Sequence, residues 1–249
     1  MLTHGLVERL SALKLHGMAQ ALEDISTSNA GTDLSFEDRL TLMIDHEETS
    51  RASRALKRRL QVAKLRYPQA AIEDVDFRRR RGLSRGPFLA LARCEWIRTG
   101  YNLLLTGKTG LGKTWLACAL GQRACREGYS VRYLRLPSLF DMMKAARGDG
   151  TAPRLIERLG KIQLLILDDF GLYPMDKDQR HDLMEVVEER AKRRSTLLTS
   201  QLEIKAWHQA FGDPTLADAV LDRLVHNAYR LELEGESMRV EDCPPELDG

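Results

Sequence analysis

The octapeptide Gly107-Lys108-Thr109-Gly110-Leu111-Gly112-Lys113-Thr114 constrains this chain more than any other stretch. It satisfies the pattern G-x-x-x-x-G-K-[ST] at every fixed position. The apolar run Asn102-Leu103-Leu104-Leu105-Thr106 before it reads as a buried strand, and residues 115–124 after it read as a helix. Strand, glycine loop and helix form an anion cradle. Gly107, Gly110 and Gly112 let the backbone turn its N–H groups inward, and the helix adds the positive end of its dipole. All eight residues are therefore candidates for holding a triphosphate, with Lys113 reaching the β- and γ-phosphates and Thr114 offering its hydroxyl to Mg²⁺. A glycine-rich turn that matches by chance is the alternative, and the flanking strand and helix argue against it.

A second apolar run, Ile162-Gln163-Leu164-Leu165-Ile166-Leu167, ends in Asp168-Asp169. A central parallel strand delivers carboxylates to its C-terminal end in this way. Asp168 is the candidate for the Mg²⁺ shell, and Asp169 for orienting or deprotonating the attacking water. A third run, Ser195-Thr196-Leu197-Leu198-Thr199-Ser200-Gln201, reads as another strand. Ser200 or Gln201 at its end could contact the γ-phosphate or the water; plain turn residues are the other reading. Further along the same half, the pattern predicts a strand over 130–135, a helix start over 136–144 with Ser138 and Asp141 suiting a cap, a charged helix over 178–194, an apolar helix over 216–221 and a last strand over 225–233.

The 249 residues, 43% of them hydrophobic, allow one large domain or a domain with a smaller module. The four cysteines (Cys94, Cys118, Cys125, Cys243) form no C-x-x-C pair, and the six histidines show no metal-ligand grouping. Cys118 and Cys125 share a helical face and read as core. The expectation is a reduced, cytoplasmic protein without signal peptide or membrane span. Residues 1–67 read as a helical domain, with a loose apolar stripe at Leu6, Leu10, Leu13, Met18 and Leu22 and a second helix capped by Ser35 and Asp38. Residues 68–87 read as a basic linker, 88–240 as the phosphate-loop domain and 241–249 as an acidic disordered tail.

Net charge is only +2, but its distribution is uneven. Arg51, Arg54, Lys57, Arg58, Arg59, Lys64, Arg66, Arg78, Arg79, Arg80 and Arg81 crowd one stretch. That density suits a surface that contacts nucleic-acid phosphates without reading base edges. A solvated helix face, with the acids at 45, 47 and 48 pairing some of the arginines, is the alternative.

Together with Leu15-His16-Gly17-Met18-Ala19, Leu165 to Gly171, Thr199 to Leu202, Leu221-Asp222-Arg223-Leu224-Val225-His226-Asn227 and Gly235-Glu236-Ser237-Met238-Arg239, the loop resembles the IstB-like ATP-binding proteins over roughly residues 5–240. That family lies among the AAA+ ATPases and is similar to the DnaC-type helicase loaders. The resemblance implies an α/β P-loop core with a five-stranded parallel sheet behind a small all-helical N-terminal domain. It also implies a bacterial ATPase that binds duplex DNA, forms ATP-dependent homo-oligomers and assists or targets a transposase. By position it makes Lys113 and Thr114 the Walker A pair, Asp168 the Walker B acid and Arg223 an arginine finger. The other reading of Arg223 is a helix-end arginine with a local acid such as Asp222. Asp169 stands where many AAA+ proteins carry the longer Glu, which implies slow turnover. Arg239 is a candidate sensor residue, although the usual AAA+ lid is short or absent. A helicase loader and a small-molecule kinase are the competing functions; the segment 145–160 lacks the Arg-rich character of a kinase lid.

Overall fold

The computed structural model describes residues 2–27 and 34–238. The chain divides into two compact units, residues 1–58 and 59–249, and the division falls inside one long helix.

The first unit holds α1 (Leu2–Ala12), α2 (His16–Thr27) and the greater part of α3 (Phe36–Ala63). The expected stripe is broken between α1 and α2, where Lys14 adopts φ 62°, and Leu6 and Leu13 are left exposed. Ser35 caps α3 as expected, its hydroxyl oxygen accepting from the Asp38 amide at 3.1 Å. Asp38 accepts the same hydroxyl's proton at 2.7 Å instead of reaching back to the Ser35 amide. The Leu15–Ala19 signature has a packing reason. Gly17 lies against α3 so closely that a Cβ there would sit 2.6 Å from the Glu47 Cα. Buried Glu47 accepts from the Gly17 and Met18 amides at 2.6 and 3.2 Å, two donors that the start of α2 leaves without helical partners. Burial works to raise the Glu47 pKa, but the bond from Arg51 and those two amides outweigh it and hold the carboxyl below its usual 4.5.

The second unit is a three-layer α/β domain. It holds α4 (Arg85–Leu91), α5 (Glu95–Arg98), β1 (Asn102–Gly107), α6 (Lys113–Arg126), β2 (Val131–Arg135), α7 (Leu136–Gly148), α8 (Ala152–Lys161), β3 (Leu164–Phe170), α9 (Lys177–Arg190), β4 (Ser195–Ser200), α10 (Ile204–Phe211), α11 (Pro214–Val225) and β5 (Ala228–Leu233). The five strands are parallel in the order β2-β3-β4-β1-β5. Side chains alternate across the sheet. Leu104, Leu165, Leu167 and Leu198 join the core formed with α7 to α11. Ile166 faces α6, where a Cβ on Gly121 would meet its Cδ1 at 2.8 Å. Cys118 and Cys125 are buried on α6, in keeping with a packing role.

Several boundaries differ from the sequence pattern. The compact unit starts at Arg59, because Leu65, Ala70, Ile72, Val75 and Leu83 are buried core residues; the stretch expected as a linker is part of the domain wall. α7 begins at Leu136 directly after β2, with no side-chain cap from Ser138 or Asp141. α9 is instead capped by an Asp176–Gln179 box that the pattern did not single out. Arg190 ends α9 almost wholly buried. It donates to the carbonyls of Leu159, Ile162 and Ser195 and to the Thr196 hydroxyl, tying α8, β3 and β4 together at their lower end. Burial lowers its pKa to about 9.

Candidate functional site

The C-terminal ends of β1, β3 and β4 open into a cavity of about 520 Å³, lined among others by Thr109, Gly110, Gly112, Lys113, Thr114, Asp169, Ser200 and Gln201. These eight, of the thirteen residues singled out for ATP chemistry, therefore converge on one cavity. In the loop, Gly107, Gly110 and Gly112 have φ of 138°, 85° and 82°, conformations that glycine adopts readily and bulkier residues do not. The Lys113 ammonium donates to the carbonyls of Gly107 and Lys108 at 2.6 and 2.8 Å, arching over the loop. Thr114 opens α6, and its hydroxyl donates to the Asp168 carboxylate at 2.9 Å.

Asp168 is fully buried. Besides Thr114 it accepts from the Tyr133 hydroxyl at 2.6 Å and from the Thr199 hydroxyl. Burial pushes the Tyr133 pKa up, and its bond to Asp168 pushes it further, so it remains a donor. Tyr133 on β2 and Thr199 on β4 thus clamp Asp168 from both neighbouring strands. The sequence pattern gives neither a role, although Thr199 opens one of the motifs that carry the family resemblance. Their strand alternation was visible, but the pairing that aims both at residue 168 is a long-range property of the sheet.

Between Leu167 and Phe170 the β3–β4 register shifts, and Asp169 takes φ 65°. A bulge of this kind re-aims a side chain beside a site. Asp168 stays in the core while Asp169 turns to the cavity, where Arg135 donates to its carboxylate at 2.9 Å. The Asp169 amide donates to the Thr199 hydroxyl at 3.2 Å, so one threonine joins both acids. Ser200 lines the cavity, yet its hydroxyl donates to the Phe170 carbonyl at 2.8 Å and accepts from the Leu202 amide at 3.0 Å. Gln201 is exposed at the same rim.

Arg223 lies elsewhere. Asn102, the first residue of β1, donates to its carbonyl at 3.0 Å. At a rise of ~3.3 Å per residue, the phosphate loop begins about 16 Å further along that strand. The Arg223 guanidinium pairs with Glu188 on α9 and donates to the Ala219 carbonyl at 2.8 Å; its acid partner is Glu188, where the alternative reading of this arginine suggested Asp222.

The basic run separates into distinct environments. Lys57 and Arg58 are exposed on α3, and Arg51 and Arg54 beside them pair with Glu47. In the second unit Arg59 donates to the Cys125 carbonyl, Lys64, Arg78 and Arg80 are exposed, and Arg79 lies 3.7 Å from the Asp76 carboxylate. Arg66 and Arg81 line the cavity, Arg66 bonding with Tyr133. Arg239 and the tail 241–249 fall outside the described residues. Among the described residues no cluster of three or more His, Cys, Asp or Glu could hold a metal, and no helix is long and apolar enough to cross a membrane. A hydroxyl and a carboxylate in contact fit the few hard oxygen ligands a protein gives Mg²⁺ when phosphates supply the rest; Thr114 and Asp168 would hold that ion.

Phosphate loop, acidic strand end and five parallel strands define a P-loop nucleotide-binding domain. The profile of the IstB-like ATP binding proteins matches residues 8–243, and the chain belongs to that family. It is 49% identical over 96% of its length, and 97% of the relative's, to a Sinorhizobium fredii protein named for an insertion sequence and for ATP binding. A Pseudomonas aeruginosa protein named in the same way is 30% identical over 96% of this chain and 90% of its own. Among solved structures, the DnaC helicase loader superposes with a TM-score of 0.57 at 19% identity, over 68% of this chain and 99% of that one. DnaI gives 0.57 at 20% identity, over 72% and 94%. These last two likenesses concern the fold.

Proposed function

We propose that the protein is an ATP-switched, DNA-binding AAA+ ATPase that assembles on duplex DNA and assists or targets the transposase of an insertion sequence. The observation that carries the reading is the separation of Arg223 from the loop of its own subunit. A partly exposed arginine at the far end of the sheet can serve only ATP held by a neighbour, so hydrolysis requires assembly. Lys113 and the loop amides hold the phosphates. Mg²⁺ between Thr114 and Asp168 would offset phosphate charge. Asp169 orients the water, and its short side chain, shared with Arg135, makes turnover slow. The exposed cations of α3 meet DNA phosphates. The names of the relatives support the insertion-sequence setting and hence a transposase partner. The DnaC-like fold supports the same switch in a helicase loader, the second reading.

Light scattering with duplex DNA tests the proposal. A large particle is expected with ATP and not with ADP. Lys113→Ala should lose nucleotide binding and assembly, and Arg223→Ala should bind ATP without turning it over. Normal assembly by Lys113→Ala, or wild-type turnover by Arg223→Ala, would refute the switch. Capture of a replicative helicase rather than the transposase would favour the loader.

A further inference from the structure

Arg81 is 4% exposed and sits against the phosphate loop. One of its terminal nitrogens donates to the Leu111 carbonyl at 3.2 Å and contacts the Met238 sulfur at 3.1 Å; the other donates to the Asp76 carbonyl at 3.2 Å. A Cβ on Gly112 would lie 3.0 Å from the first of these nitrogens. Its Nε–H is buried and finds no acceptor among the described residues. Among the described residues no carboxylate is bonded to the guanidinium: Asp76 gives Arg81 a hydrogen bond only from its backbone, while its side chain accepts from the Arg78 amide at 2.9 Å and lies near Arg79. Burial lowers the Arg81 pKa, with the nearby Asp76 charge opposing.

The surroundings are built around this residue. The Glu234 amide donates to the Arg81 carbonyl at 3.1 Å and the Met238 amide to the Gly110 carbonyl at 3.0 Å. A Cβ on Gly235 would strike the Arg80 carbonyl at 2.5 Å. The segment 234–238 thus closes the cavity wall over the loop, with Arg81 beneath it. A buried guanidinium with no carboxylate bonded to it is costly by itself. Beside a phosphate-binding loop, an anion that enters the cavity removes that cost, and the planar fork suits phosphate oxygens.

We propose that Arg81 is a nucleotide contact: its guanidinium is held against the loop to receive a phosphate of the bound nucleotide. The inference rests on the reading of the cavity as the nucleotide site. It removes Arg81 from the DNA-facing run and gives the Gly235–Met238 signature a task, holding that arginine in place.

The test compares Arg81→Gln, Arg81→Lys and Lys113→Ala in the full chain. Fluorescent ADP and a non-hydrolysable ATP analogue serve as probes, with the nucleotide-free unfolding midpoint measured in parallel. Arg81→Gln should weaken both nucleotides tenfold or more, leave the nucleotide-free midpoint equal or higher, and leave the salt dependence of DNA binding unchanged. Arg81→Lys should recover part of the affinity. Nucleotide affinity within twofold of wild type in Arg81→Gln would overturn the inference. So would a fall in its nucleotide-free midpoint with the nucleotide-induced shift intact, the mark of a purely structural residue. Wild-type binding by Lys113→Ala would instead remove the site reading itself, so the two failures are distinguishable.

Discussion

Thr199→Val isolates the threonine that joins the two acids at the end of β3. Valine keeps the shape and removes the hydroxyl. Two interactions go with it: the bond to the buried Asp168 carboxylate and the acceptor for the Asp169 amide. A hydrogen bond to a charged group contributes about 1.5–3 kcal/mol, and a buried donor left unsatisfied costs about 1–3 kcal/mol. The extra buried methyl returns about 0.8 kcal/mol. Asp168 keeps Tyr133 and Thr114 as donors, so the net loss is expected at about 2–5 kcal/mol. The assay is urea unfolding followed by tryptophan fluorescence. Trp96, Trp115 and Trp207 all belong to the second unit, so the signal reports that unit alone. Thr199→Ser keeps the hydroxyl and should lose only about 1 kcal/mol, the value of a buried methyl group. Turnover should fall in the valine variant, because the bulge that turns Asp169 to the cavity loses its tie to β4. Stability within about 0.5 kcal/mol of wild type, below the ~1–3 kcal/mol of one unsatisfied donor, would refute the clamp. A serine variant as damaged as the valine variant would refute it equally.

Gly17→Ala forces a methyl into the backbone of α3 and should destabilise the helical unit by about 1–3 kcal/mol, read as earlier loss of helical circular dichroism; an unchanged melt would remove the close approach. The Glu47 carboxyl, held below 4.5, contributes stability that is present above that value and lost as pH falls through its folded pKa, and Glu47→Gln should abolish this acid sensitivity, measured in the same melts. Arg135→Ala should leave stability unchanged within about 1 kcal/mol, since the pair is partly exposed, and raise basal ATP turnover several-fold by freeing Asp169; slower turnover would mean that Arg135 acts on the nucleotide instead. Burial raises the thiols of Cys94, Cys118 and Cys125 to about 11, so iodoacetamide at neutral pH should label none of them in the folded protein and all three in urea. Rapid labelling of any of the three before unfolding would contradict their place in the core.

The legible parts of the fold were those written in short-range pattern. The loop, its strand and its helix are contiguous, and the apolar runs at β3 and β4 announce buried parallel strands by their length and their polar ends. Asp168 was readable because acids at the C-terminal end of such a strand lie at the ligand end of the sheet. Tyr133 and Thr199 were not, since their role depends on β2 and β4 lying on either side of β3, an order that no local spacing encodes. Arg66 and Arg81 stand apart from the rest of the basic run for a related reason. A run of basic residues looks uniform in sequence, whereas in the fold Arg81 is buried and the exposed Arg66 lines the cavity beside it. α8 and α10 were missed because their apolar residues occupy short segments between stronger signals.

The parking of Arg223 bears on how an assembly would respond to ATP. Its pair with Glu188 is partly exposed on both sides, 29% and 54%, and pairs of that kind contribute about 0–1 kcal/mol. Exchanging Glu188 for a neighbour's nucleotide therefore costs little, while the exchange itself adds a contact that exists only in the ATP state. A deeply buried partner would have held the arginine away from the neighbour, and an unpaired side chain would have lost more rotamer freedom on engagement. The cheap local pair keeps the arginine ordered at the rim between these extremes. In the proposed assembly the switch would then be set almost entirely by what the neighbouring loop holds, because neither end of the sheet has to be rebuilt when ATP arrives.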